Sequence, residues 1–142
     1  MHLLLRICLL MFVLSASPGH AVSADDLLEP EKAFRFSARA LDAQTIEVSY
    51  RIADGYYLYR ERFKFSTEPG SVRTGAAAFP AGVVHDDQFF GKTETYRKEL
   101  RIRLPLEDSA GLERLRLKVV SQGCADIGVC YVPQEQVAEI RL

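Results

Sequence analysis

Residues 46–52, IEVSYRI, decide the fold class. Ile46, Val48, Tyr50 and Ile52 share one parity, and Glu47, Ser49 and Arg51 the other. Successive side chains of a strand point to opposite faces, so this period of two predicts a half-buried strand. The pattern recurs along the chain. Phe34, Phe36 and Ala38 alternate with Arg35, Ser37 and Arg39, and Phe63 and Phe65 with Arg62 and Lys64. Tyr96, Lys98, Leu100, Ile102 and Leu104 alternate with Arg97, Glu99, Arg101 and Arg103, a strand that Pro105 is expected to end. Leu115, Leu117 and Val119 alternate with Arg114, Arg116 and Lys118, and Ala138, Ile140 and Leu142 mark a final strand. Asp54-Gly55 is a turn signal and predicts a hairpin returning through Tyr56-Tyr57-Leu58-Tyr59. Glu68-Pro69-Gly70 breaks the chain again. Residues 74–82, TGAAAFPAG, read as a loop or short edge segment, and Val83-Val84 as a short strand. Many short strands separated by turn signals, with almost no helical periodicity, predict an all-β fold: an antiparallel β-sandwich of immunoglobulin-like type. The basic residues on the strands are interspersed with Asp and Glu and read as a solvated face.

The N-terminus reads differently. One positive charge, Arg6, precedes the apolar run Ile7–Leu14, which is too short to span a bilayer. Small residues and then Asp25-Asp26 follow. This is the pattern of a secretory signal peptide, cleaved after Ala21 or Ala24. Residues 1–24 are therefore a leader and residues 25–142 one domain. Removing the leader takes away Cys8, leaving Cys124 and Cys130 as the only cysteines, in an oxidising compartment. The formal net charge of −1 for the 142 residues gives no reason to expect a nucleic acid or anionic membrane as partner. No other segment is apolar and long enough to cross a membrane.

The chemistry concentrates in residues 122–133, QGCADIGVCYVP. Fully extended, the six steps from Cys124 to Cys130 would separate their Cα atoms by roughly 20 Å. A disulfide needs about 5.5 Å. If the two pair, the chain must reverse within residues 125–129, where Gly128 accepts a positive φ and Asp126 can cap a turn. Gly123 adds freedom or close backbone approach. Such a short loop makes a weak staple, about 2.4 kcal/mol in the chain-entropy model. Structural disulfide, redox-active disulfide and metal ligation all remain open on spacing alone, although no His or Met flanks the pair to favour a metal.

Two further stretches are unusual. Residues 54–60, DGYYLYR, place three tyrosines within four residues. Residues 85–92, HDDQFFGK, put two adjacent phenylalanines in a polar loop, where one should pack inward and the other cover something. A carboxylate near the sulfurs would disfavour thiolate, and an aromatic lid would shield them until it moved.

Together DGYYLYR, VVHDDQFFGKTETYR and QGCADIGVCYVP, in this order, resemble the N-terminal periplasmic domain of the thiol:disulfide interchange protein DsbD family, from about Leu28 to Leu142. The resemblance implies an immunoglobulin-like fold and a redox-active disulfide between Cys124 and Cys130. Cys130 is implied to form mixed disulfides with partners, and Cys124 to resolve them. Phe89 matches a cap residue over the disulfide, with Asp87 as acidic neighbour and Tyr57 and Tyr59 as aromatic surroundings. Gln88 stands where family members carry Glu, and Phe90 where they carry Tyr, so any carboxylate effect rests on Asp87. The implied donor is a thioredoxin-like protein or domain that draws electrons through a membrane-embedded domain. The implied acceptors are periplasmic disulfide isomerases and cytochrome c maturation thioredoxins. Two sulfurs carry the electrons, so neither metal nor organic cofactor is expected. The rival reading is a non-catalytic immunoglobulin-like interaction module with a structural disulfide.

Overall fold

The computed structural model describes Gly19 and residues 23–142. The expected leader, with Cys8, lies outside the described residues except at Gly19, Ser23 and Ala24. After a helical turn at Pro30–Ala33, the strands are β1 (Phe34–Asp42), β2 (Thr45–Ile52), β3 (Tyr56–Tyr59), β4 (Lys64–Glu68), β5 (Arg73–Thr74) and β6 (Val83–Asp87). They continue as β7 (Gly91–Tyr96), β8 (Glu99–Glu107), β9 (Arg114–Ser121), β10 (Gly123–Ala125), β11 (Val129–Cys130) and β12 (Gln134–Arg141). Pairing is antiparallel throughout, in sheets of order β1-β2-β8-β5, β12-β9-β4 and β11-β10-β3-β7-β6.

The first two sheets form the sandwich. Their facing parities are those of the sequence: Ile46, Val48 and Tyr50 from β2, Leu100, Ile102 and Leu104 from β8, Leu115, Leu117 and Val119 from β9, and Ile140 from β12 are all buried. Tyr50 spans the core. Its ring meets Phe63 edge-on at 5.6 Å, and its hydroxyl donates to Gln136 Oε1 at 2.7 Å, so the buried oxygen is satisfied. The fold is the expected immunoglobulin-like sandwich.

Three local expectations are corrected. The turn at Asp54-Gly55 exists, but β3 does not return along β2. It crosses to the third sheet and lies between β10 and β7. All four of its residues are buried, which a hairpin arm with one wet face cannot provide. The strand expected over residues 96–104 divides at Arg97-Lys98, where Lys98 takes φ 65°. Tyr96 thus belongs to the third sheet and Leu100 to the core sheet. Pro105 does not end β8. Its carbonyl faces the β5 side, accepting from Gly75 N at 2.9 Å, so its missing N–H falls where β5 reaches only Leu106 and Glu107. None of the described helices is long and apolar enough to cross a membrane.

The core reading is tested by truncation. Leu117→Ala removes a fully buried side chain and should cost about 2–5 kcal/mol in urea denaturation. The outward Lys118→Ala should stay within about 0.5 kcal/mol of the parent.

Candidate active site

The third sheet carries the chemistry. β10 lies along β3 with Cys124 opposite Tyr57, and β11 turns back so that Cys130 lies opposite Cys124. The reversal needs only Asp126, Ile127 and Gly128, with Gly128 N donating to Ala125 O at 3.0 Å and Gly128 at φ 91°. Bonds from Gly128 to Ala125 and from Tyr131 to Gly123 flank the cysteine pair. That is the ladder position where opposing residues come closest. The two form a disulfide with Cα atoms 3.9 Å apart, nearer than the 5.5 Å typical of disulfides in general. Gly123 is the close-approach residue. A β-carbon there would meet the Tyr57 carbonyl oxygen and lie 2.6 Å from the Phe34 ring.

Tyr57 and Tyr59 project from the same face of β3, their rings 5.4 Å apart and edge to face. Both are buried, and with the two cysteines they form an apolar cluster separate from the main core. The Tyr59 hydroxyl oxygen lies 3.2 Å from Cys124 Sγ and 4.0 Å from Cys130 Sγ. Cys124 is 0% exposed, whereas Cys130 is half-buried.

Asp87, at the end of β6, organises the roof. Its Oδ2 accepts from the Tyr59 hydroxyl at 2.8 Å and the Tyr57 hydroxyl at 3.2 Å. Its Oδ1 accepts from Phe89 N at 2.7 Å and Phe90 N at 3.0 Å. Burial alone would raise this carboxyl, but the hydrogen bonds from Phe89, Tyr59, Phe90 and Tyr57 outweigh it and hold it below the usual carboxylate range. Burial, with the carboxylate and the second tyrosine beside it, raises the Tyr59 hydroxyl, so that group stays protonated. With its proton committed to Asp87, Tyr59 offers the sulfurs a lone pair. A reduced Cys124 can donate S–H to that oxygen, which favours thiol over thiolate.

The residues expected to cap the pair occupy the tip of the β6–β7 hairpin. Gln88 lies over the cysteine turn: a β-carbon on Gly128 would sit 3.7 Å from its Nε2. Phe90 packs edge-on against Tyr59 at 4.8 Å, with the Arg62 guanidinium 3.9 Å from its ring centre. Phe89 is 44% exposed. Of the two phenylalanines, Phe90 is the one against the tyrosine roof.

Sequence reasoning missed the cations. Arg97 makes a two-pronged pair with Asp126, at 2.8 and 3.0 Å, and covers the Tyr57 ring at 4.9 Å. Asp126 therefore ties the turn to Arg97 rather than capping it. His85 Nε2 lies 3.8 Å from Asp87 Oδ2. Arg62 and Arg97 read only as outward strand positions, since their partners, Phe90 and Asp126, lie in turns distant along the chain.

Fold and site together define an immunoglobulin-like domain of the thiol:disulfide interchange class. The chain belongs to the DsbD N-terminal family: the family model described as "Thiol:disulfide interchange protein DsbD, N-terminal" matches residues 24–142. It is 45% identical over 133 residues to DsbD of Ralstonia nicotianae, covering 93% of this chain and 22% of that protein. It is 39% identical over 125 residues to DsbD 1 of Pseudomonas aeruginosa, covering 88% and 21%. It thus spans about a fifth of these relatives' length. The reduced N-terminal domain of Neisseria meningitidis DsbD superposes with TM-score 0.76 at 37% identity, covering 84% of this chain and 94% of that one. The same domain in complex with the PilB N-terminal domain gives 0.68 at 36% identity, covering 80% and 87%.

The depressed Asp87 carboxyl yields a signed expectation. A carboxyl lowered by folding stabilises the native state above its unfolded value, about 3.9, and that share is lost as pH falls through the folded value. Asp87→Asn should therefore be less stable than the parent at neutral pH, with a flatter acid limb when urea midpoints are measured from neutral to strongly acidic pH.

Proposed function

We propose that this domain is a periplasmic electron shuttle working by dithiol–disulfide exchange, with Cys130 as the sulfur that meets partners and Cys124 as the resolving one. The difference in burial between the two cysteines carries the reading. Exchange requires a thiolate to reach a disulfide sulfur in line, and the half-buried Cys130 offers that approach while Cys124 does not. In the reductive half, a donor thiolate attacks Cys130 Sγ. The Cys124–Cys130 bond breaks, and Cys124 leaves with the electron pair and takes a proton from solvent. The donor's second thiolate attacks the sulfur of its own partner cysteine, freeing Cys130 and leaving the donor oxidised. In the second half, Cys130 thiolate attacks an acceptor disulfide and one acceptor thiol departs. Cys124 then attacks Cys130 Sγ, the domain disulfide re-forms, and the acceptor leaves as a dithiol. Two electrons pass in each half.

Tyr59, Tyr57 and Asp87 keep Cys124 a poor leaving group and a quiet thiol until a partner docks and the surroundings change. Phe89, Phe90 and Gln88 belong to a cap that must shift for in-line attack. The donor is a thioredoxin-like protein or domain. The acceptors are periplasmic disulfide isomerases and cytochrome c maturation thioredoxins, reached after removal of the leader. The Neisseria complex with the PilB N-terminal domain supports docking of another protein's domain on this fold.

The equilibrium reduction potential separates this function from a structural staple. Titration against glutathione and dithiothreitol buffers with thiol trapping should give about −180 to −270 mV, and a value below about −300 mV would replace the shuttle with an interaction module. Role assignment has its own readout. Cys124→Ala should accumulate a mixed disulfide with a thioredoxin-like partner, and Cys130→Ala should accumulate none; trapping through Cys124 reverses the roles. Phe89→Ala should speed reduction by dithiothreitol if its ring shields the sulfurs, and an unchanged rate removes it from the cap.

A further inference from the structure

The outward face of the core sheet carries a charge pattern that exchange chemistry does not use. Registration of β1, β2 and β8 stacks three rows across it: Arg35–Arg51–Glu99, Ser37–Ser49–Arg101 and Arg39–Glu47–Arg103. With neighbouring strands about 4.8 Å apart and alternate residues about 6.8 Å apart, the grid covers roughly 10 by 14 Å. It holds five arginines against two glutamates, in a chain whose net charge is −1. Strands that look evenly mixed in sequence thus become one-sided once registered. The two glutamates are engaged: Glu47 by Arg39 at 2.9 Å and Glu99 by Arg101 at 2.8 Å. Arg35, Arg51 and Arg103 are exposed and form no ion pair among the described residues. Arg35 and Arg51 face each other directly across the ladder, an arrangement of like charges that costs stability.

We propose that this face docks on the anionic headgroup surface of a phospholipid bilayer. Three features select that occupant. No residue of the grid is aromatic or aliphatic: its central row is Ser37–Ser49–Arg101, and the grid lines an open depression of about 360 Å³, so it offers none of the anchors that form the core of a protein interface. It also lacks the aromatic rings on which single-stranded bases stack. Exposed, unpaired guanidiniums match the phosphates of a headgroup layer, and Lys32 adds to them beside Arg35 and Arg51 around a groove of about 400 Å³ in which Asp54 is the one acidic residue. The disulfide belongs to a different sheet from the grid.

Co-sedimentation tests this directly. The protein should bind vesicles of mixed phosphatidylglycerol and phosphatidylcholine at about 0.01 M ionic strength, bind less as the Debye length shrinks towards about 10 Å at 0.1 M, and ignore phosphatidylcholine alone. The triple variant Arg35→Gln/Arg51→Gln/Arg103→Gln should partition roughly 100-fold more weakly, with its rate of disulfide reduction unchanged. The matching triple Lys variant should keep binding, which separates charge from any loss of fold. No preference for anionic vesicles, undiminished binding by the Gln variant, or binding to duplex DNA or polyglutamate in place of vesicles would each overturn the proposal.

Discussion

The hydrogen bond from the Tyr59 hydroxyl to Asp87 holds the site together, because it ties β3 to β6, which share no ladder, directly beside the sulfurs of β10 and β11. Tyr59 comes from β3, Asp87 from the end of β6, and the sulfurs against Tyr59 from β10 and β11. The same carboxylate accepts the two amides that shape the hairpin tip. One buried anion therefore sets both the electrostatics at the sulfurs and the form of the hairpin tip. An isolated buried carboxylate would be expensive. Here it is hydrogen-bonded on both oxygens, by two backbone amides and by two tyrosines that resist ionisation in that setting. A charged group can be retained beside an apolar disulfide only on those terms.

Much of the fold was legible because a wet face and a dry face impose a period of two. Phe34–Arg39, Ile46–Ile52 and Leu115–Val119 show it cleanly, and each became a strand with the expected parity. Legibility failed where that constraint is absent. Tyr56–Tyr59 is buried on both faces, so nothing local says which strand lies beside it. The Arg97-Lys98 break is invisible because parity runs unchanged across it. Pro105 sits inside a strand only because its N–H side has little to bond with.

The site was half legible. The spacing of Cys124 and Cys130 required a tight reversal if they paired, and the structure supplies one at residues 126–128. That the pair should be redox-active came from resemblance to a family, through three motifs in order. Arg62 over Phe90 and Arg97 against Asp126 could not be seen, since such pairs depend on strand crossings and leave no spacing signal. The same holds for the arginine face, where strand order decides whether interspersed charges cancel or accumulate.

The placement of β6 as the outermost strand of the third sheet has a mechanical consequence. Motion of the hairpin tip has the free edge of that sheet to spread into. On the other side, the cysteine turn is tethered through Asp126 to Arg97, at the junction where the chain passes into the core sheet. The disulfide is thus anchored unequally: on one side by a side-chain tether to the start of the core sheet, on the other by a hairpin from the sheet's outermost strand, joined to β3 through Asp87.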